Sequence, residues 1–214
     1  MDRNYNDNEL FVAVKNNDLE LVENLITYKW MDVNGKNGTG ETPIFYAIFN
    51  GNLDMIKLLM KHGADVNVIP YYGRPLLMYA FLTNDIDIIT YLINNGAQIN
   101  VTENGESLVH YCIIGLGRSG TNITVSTYDY YHSILNILFE KSELNVNTQH
   151  GDWGTTPLIL AINLNDVNLV KKLIEHGADV NLKKYNGASP LSNARNLTNG
   201  DNIVRLLLEN GAVL

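Results

Sequence analysis

Cysteine is nearly absent from this 214-residue chain: Cys112 stands alone. One thiol closes no internal disulfide, and no CxxC pair or Cys/His cluster offers a structural zinc site. Positive charge is scarce as well. Fifteen Lys and Arg face 23 Asp and Glu, for a formal net charge of −8. A nucleic-acid-binding surface needs the opposite balance, because its cations must replace counterions at phosphates. Long apolar runs are missing too; none reaches the roughly 20 residues that span a bilayer. The opening MDRNYNDNEL is polar and acidic and holds no signal core. These shortages weigh against a disulfide-stapled secreted domain, and against nucleic acid or membrane as partner. They favour a reducing compartment, cytoplasm or nucleus. The Asn-X-Thr triplets at Asn100, Asn122 and Asn196 are then chance matches in an Asn-rich chain.

What is present is a repeat. The chain is 45% apolar, enough for a core. Residues 40–67 read GETPIFYAIFNGNLDMIKLLMKHGADVN, and residues 154–181 read GTTPLILAINLNDVNLVKKLIEHGADVN. Ala47 and Ala80 are 33 residues apart, as are Ala161 and Ala194. Period and motif together resemble the ankyrin-repeat family over nearly the whole chain. The resemblance implies an all-α repeat solenoid, a single domain of about six helix-turn-helix units with β-hairpin fingers. Their approximate bounds are residues 7–34, 35–67, 68–100, 101–147, 148–181 and 182–214. The first lacks Thr-Pro, the third has Pro75-Leu76 there, and the fourth has Ser107-Leu108, with Cys112 at the Ala position.

The motif has local physical reasons. Thr-Pro opens a helix: the hydroxyl caps an orphan amide, and proline has no amide to lose in the first turn. Small residues at Ala47, Ala80, Ala161 and Ala194 let helices approach. Apolar residues recur at helical spacing in the second helices. Gly63, Gly96, Gly177 and Gly211 end those helices in the left-handed region. Each unit buries too little alone, so stacking must hold the array. About 14 extra residues separate the two helices of the fourth unit, near GLGRSGTNITVSTY, and are expected to form a loop. The sequence ends on Gly211-Ala212-Val213-Leu214, an ordinary repeat end. It predicts either continuation in a longer protein or a last repeat that caps itself.

Catalytic constellations are few. Gly115, Gly117 and Gly120 spell GxGxxG, which in a dinucleotide fold follows a strand and opens a helix; here no second strand supplies the acidic partner. A nucleotide site in this insertion is the rival reading from another functional class. His62 and His176 precede Gly-Ala as structural residues, and the resemblance implies that His110 bonds backbone. No pair of the five histidines has metal or catalytic spacing. Cys112 reads as a buried filler. No enzyme, cofactor or metal is expected.

A surface remains. The resemblance implies a concave groove built from finger tips and first-helix ends. Its candidate protein-binding residues are Glu41, Phe49, Tyr71, Tyr72, Arg74, Leu82, Glu103, Asn104, Glu106, Asp152, Trp153, Tyr185 and Asn186. Large aromatics at wet tips have no core to serve, and Trp, Tyr and Arg dominate interface hot spots.

The irregular repeats, the NNGAQIN and HGADVN endings, the Asn, Ile and Tyr bias and the insertion are similar to poxvirus ankyrin proteins. That likeness implies a monomer in the host cytoplasm. It would bind a host signalling or restriction protein, with NF-kappa-B, cell-death or ubiquitin-ligase pathways as targets. Members often carry a C-terminal F-box-like segment; none is read after the repeats. The expectation is therefore either the substrate-binding part of a longer protein or a short form that sequesters. A bacterial effector or a cellular scaffold is the alternative with the same binding physics.

Overall fold

The computed structural model describes residues 6–70, 73–118 and 125–213. Twelve α-helices lie among them, in consecutive pairs: α1 (Asn6–Lys15) and α2 (Leu19–Lys29), α3 (Pro43–Phe49) and α4 (Leu53–Lys61), α5 (Leu76–Ala80) and α6 (Ile86–Asn94), α7 (Leu108–Arg118) and α8 (Val125–Phe139), α9 (Pro157–Asn163) and α10 (Val167–Glu175), α11 (Pro190–Arg195) and α12 (Asp201–Glu209). A 3-10 turn, Phe81–Thr83, extends α5. The chain forms two compact units, one up to Val101 and one from Thr102 onward.

In the N-terminal unit, α1 packs on α3 and α3 on α5, while α2 lies against α4. In the C-terminal unit, α7 packs on α9 and α9 on α11, while α10 meets α12. The residue that makes such close layering possible is the small one. Ala47, Ala80, Cys112, Ala161 and Ala194 are all buried, each where a first helix meets its neighbours. The second helices contribute Met55, Ile56 and Leu59, Ile88, Ile89 and Leu92, or Val170 and Leu173. Burying each such side chain contributes about 1.5–3 kcal/mol.

Helix starts are specified twice over. Thr156 accepts from the Ile159 amide at 3.3 Å and Ser189 from the Ser192 amide at 3.1 Å. Thr42 departs from expectation: its hydroxyl is buried and makes no cap bond. There Pro43 and the extended backbone of Thr42 set the helix start without it. The second helices use a carboxylate or amide, with Asp18, Asn52, Asp85 and Asp166 each accepting an amide of the first turn. Anions or lone pairs there also face the positive helix end.

At the other end, Gly63, Gly96, Gly177 and Gly211 take φ of 86°, 93°, 85° and 86°. In the first pair this place falls to Trp30, at φ 54°. A left-handed non-glycine residue costs about 1–2 kcal/mol. Each glycine carbonyl then meets the asparagine that ends the preceding repeat. Asn34 donates to Gly63 O at 2.9 Å and accepts from the Asp65 amide at 2.8 Å. Asn67 does the same with Gly96 and Gln98, at 3.0 and 2.9 Å. Asn147 clamps Gly177 and Asp179, at 2.8 Å for both, and Asn181 clamps Gly211 and Val213, at 3.0 and 2.9 Å.

The fingers are shorter than the expected hairpins. Among the described residues the only ladder is β1 (Thr102–Glu103) against β2 (Glu106–Ser107). A single bridge, His150 to Thr155, marks another finger. With two residues a side, hydrogen bonding barely begins before each chain turns into its helix. The fourth repeat's extra residues also differ from a plain loop. The helix α7 has 11 residues against 7 in α9, and α8 has 15 against 9 in α10. The insertion therefore lengthens both helices; residues 119–124 between them lie outside the described residues.

Replacing Asn147 by Ala removes two bonds to the next repeat. At about 1 kcal/mol per lost hydrogen bond, it should lower the unfolding free energy by about 1–2 kcal/mol. The urea midpoint would fall while the slope of the transition stays unchanged.

Candidate protein-binding surface

The expected contact residues divide between the two units, and each patch stands by itself. In the N-terminal unit, Phe49 ends α3 and is 61% exposed, stacked on Phe45 with ring centres 6.0 Å apart. Leu82, in the adjoining 3-10 turn, is 60% exposed. The Arg74 guanidinium lies 5.1 Å over the Tyr79 ring, which packs nearly perpendicular to Phe45 with ring centres 4.9 Å apart. Phe49, Leu82 and Arg74 thus border one apolar and aromatic surface. Exposed Ile69 belongs to the same finger segment and was not among the expected contacts. Tyr71 and Tyr72 lie outside the described residues.

Glu41 has a different role from a waiting contact. It accepts from the Tyr46 hydroxyl at 2.6 Å, and from Asn37 and Thr39 at 2.8 Å each. Burial by itself would raise this carboxyl. The three hydrogen bonds and the Lys15 charge outweigh it and hold the carboxyl below the usual range. Burial and the same Glu41 push the Tyr46 phenol up to about 12. This network fixes the finger's shape from within.

In the C-terminal unit, the β1–β2 turn is Asn104-Gly105, with φ 51° and 82°. Two left-handed residues in a two-residue hairpin make the primed turn that suits strand twist. Asn104 therefore sets geometry at an exposed tip. Glu103 accepts from the Tyr111 hydroxyl at 2.8 Å, and Glu106 sits 3.0 Å from His150 Nε2. Both carboxylates are engaged internally, like Glu41.

Trp153 and Tyr185 are each 65% exposed, on fingers of successive repeats. The Tyr185 amide donates to the Trp153 carbonyl at 3.0 Å. The Tyr185 ring lies against Gly154, where a Cβ would come within 2.7 Å of it. Glycine here admits the ring. Gln149 braces the pair by donating to Gly154 O and Lys183 O, at 3.2 and 3.0 Å. Exposed Asp152 and Asn186 flank the rings, and Asn186 accepts the Ala188 amide at 3.1 Å. Two large exposed side chains escaped the sequence reading altogether: Tyr28 and Trp30, at 76% and 88% exposure, near the end of α2. Trp30 stands where later repeats have glycine, and that substitution was the available signal.

The insertion does not cradle phosphate at the positions described. Gly115 and Gly117 lie within α7. A Cβ at Gly115 would collide with the Tyr131 ring, and one at Gly117 would sit 2.9 Å from Leu164. These glycines admit neighbouring side chains to a helix, whereas the dinucleotide pattern needs free amides at a helix start. No group of three potential metal ligands occurs among the described residues. Burial pushes the Cys112 thiol well above its ordinary range, against a nucleophilic role.

His110 is fully buried. Its Nδ1 lies 2.8 Å from Ser107 Oγ and its Nε2 2.9 Å from Thr155 O. The carbonyl can only accept, so Nε2 carries the proton and Nδ1 accepts from the hydroxyl. Burial drives this imidazole down to about 4 from an ordinary 6.5; the Thr155 bond opposes that, and neighbouring His150 adds to it. The unfolded chain takes up a proton near 6.5 where the folded chain does not. Stability present above that pH is therefore lost as pH falls towards 4. This one group would contribute on the order of 3 kcal/mol to the loss. In His110→Gln, urea midpoints measured from pH 7 to pH 4 should fall less steeply than in the wild type; parallel profiles would rule the assignment out.

The comparisons with known proteins agree with this architecture. The family described as ankyrin repeats (3 copies) matches residues 10–114 and 123–214. An ankyrin-repeat protein of Rickettsia bellii is 38% identical over 65 residues, 28% of this chain and 39% of that protein. An ankyrin-repeat protein of fowlpox virus is 45% identical over 49 residues, 23% of this chain and 7% of that protein. The chain therefore spans less than half the length of these relatives. An ankyrin repeat domain from Acinetobacter baumannii matches the fold with a TM-score of 0.70 at 25% identity, covering 95% of this chain and 98% of that one. The family match over most of the sequence and the paired helices show that this chain belongs to the ankyrin-repeat family, whose fold is a scaffold for protein–protein interaction.

Proposed function

We propose that the chain is an intracellular capture module of viral origin. It binds a host signalling or ubiquitin-ligase protein, in the NF-kappa-B or cell-death pathways, and blocks or redirects it. The observation that carries the binding reading is the Trp153–Tyr185 pair. Both rings face solvent; a backbone bond ties their two fingers together, and the Tyr185 ring is seated against Gly154. A ring already seated, as Tyr185 is, loses little freedom on binding, and both rings offer large apolar area. Phe49, Leu82 and Arg74 supply a second patch of the same character in the N-terminal unit. Tyr71 and Tyr72 remain candidates from the sequence. The viral origin rests on the composition, the irregular repeats and the fowlpox likeness. The Rickettsia likeness supports a bacterial effector as the alternative, with the same contacts.

The test is affinity capture from host-cell cytosol with mass spectrometry, comparing wild type with the double variant Trp153→Ala, Tyr185→Ala. Truncating a hot-spot ring costs about 2 kcal/mol, roughly thirtyfold in Kd, so the folded variant should lose the partner. A partner held equally by both forms would refute the assignment to these rings, and Phe49→Ala with Leu82→Ala would then test the other patch.

A further inference from the structure

Eight Asn-Gly pairs occur in the sequence. Such a pair is chemically unstable, because glycine has no side chain to shield its amide nitrogen from the asparagine Cγ. Attack needs two freedoms at once, an unbonded asparagine amide and an unbonded glycine N–H. The fold withdraws one or both at most of the pairs. The amides of Gly35, Gly51, Gly96, Gly187 and Gly211 each donate to a carbonyl three residues back, at 2.9–3.4 Å. Asn37, before Gly38, is locked by its own side chain, which donates to Glu41 and Tyr46 and accepts from the Thr39 and Glu41 amides.

Two pairs keep both freedoms. Among the described residues no hydrogen bond reaches the side chains of Asn104 and Asn199 or the amides of Gly105 and Gly200. The two pairs differ in what surrounds the glycine. Gly200 is buried at the start of α12, where a Cβ would collide with the Ala194 carbonyl oxygen. Turning its amide would unseat that helix. Asn104 is exposed at the tip of the β1–β2 turn, above a ladder of two residues a side. Left-handed Asn104 keeps Cγ and the Gly105 nitrogen apart, so the turn must open before a ring can close. Tyr111 and His150 grip the strands through Glu103 and Glu106 and leave the turn peptide to rotate. Openings of so short a ladder are local and cost little.

We propose that Asn104 is a site of spontaneous deamidation, with water as the co-reactant. Hydroxide takes the Gly105 N–H proton, and the nitrogen attacks Asn104 Cγ. The Cγ–Nδ2 bond breaks, and ammonia departs with a proton from water, which restores the hydroxide and leaves a five-membered succinimide. Water then splits the ring at one of its two carbonyls. One opening gives aspartate; the other gives isoaspartate, whose extra methylene runs in the main chain. Either product sets a third carboxylate between Glu103 and Glu106. Isoaspartate also lengthens a turn whose two residues match the strand twist. Gly105 has no room for that: even a Cβ there would lie 3.3 Å from the Gln149 carbonyl oxygen. The fourth finger then parts from the fifth, which carries Trp153. This chemistry does not depend on the capture reading.

The test is peptide mapping by mass spectrometry of the whole chain, aged at pH 8 in oxygen-18 water, either folded or held unfolded in urea. Loss of the amide and entry of one water oxygen add about three mass units at a converted residue. In the folded chain Asn104 should convert roughly fivefold faster, or more, than any other Asn-Gly pair, and in urea the pairs should converge. Asn104→Gln, which can close only a slower six-membered ring, should lose the conversion. In the isoaspartyl form, separated by ion exchange, the amides of residues 102–107 should exchange with solvent roughly tenfold faster than in fresh protein. The proposal is overturned if Asn104 stays intact in the folded chain while the unfolded chain converts. It is equally overturned if another pair, Asn199 above all, keeps pace with it in the folded chain, or if isoaspartate at 104 leaves the exchange unchanged.

Discussion

Within each unit the fold depends on an asparagine side chain that holds the backbone of the next repeat. Asn34, Asn67, Asn147 and Asn181 each use both ends of the amide, one for a glycine carbonyl and one for an amide two residues on. The bond is possible only because that glycine is left-handed and turns its carbonyl toward the neighbour. Helix termination and repeat stacking are thus one event. The clamp reads backbone alone. The amides that donate to it belong to Asp65, Gln98, Asp179 and Val213, four residues in three chemical classes. Repeats can diverge almost everywhere else without losing their neighbours.

Much of this was legible in the sequence because it is periodic. The 33-residue spacing, the small residue of each first helix and the closing glycines follow from letters that recur. His110 was expected to bond backbone and does, through Thr155. One failure falls where the period breaks, the other within a regular repeat. The insertion was expected to be a loop because it interrupts a motif, yet much of it continues two helices. There the Tyr131 ring packs against Gly115, a tertiary contact that no local pattern announces. Thr42 carries the same letters as Thr156 but makes no cap. The hydroxyl's direction is settled by packing, not by identity.

The candidate surface divides along the same line. Sequence placed Glu41, Glu103, Glu106 and Asn104 on fingers, and they are there. Position alone could not say that the three carboxylates serve Tyr46, Tyr111 and His150, or that Asn104 serves a turn. These acids keep each finger in shape. The large apolar candidates, Phe49, Leu82, Trp153 and Tyr185, face solvent. Finger shape and the recognition proposed above thus fall to different residue types.

The lone thiol has a consequence of its own. Cys112 is fully buried in α7, in the fourth repeat, where its neighbours have alanine. Reagents that alkylate thiols reach it only when that helix pair parts from its neighbours. The rate of labelling in native buffer is therefore a clock for the breathing of the middle of the chain, built in without any engineered probe.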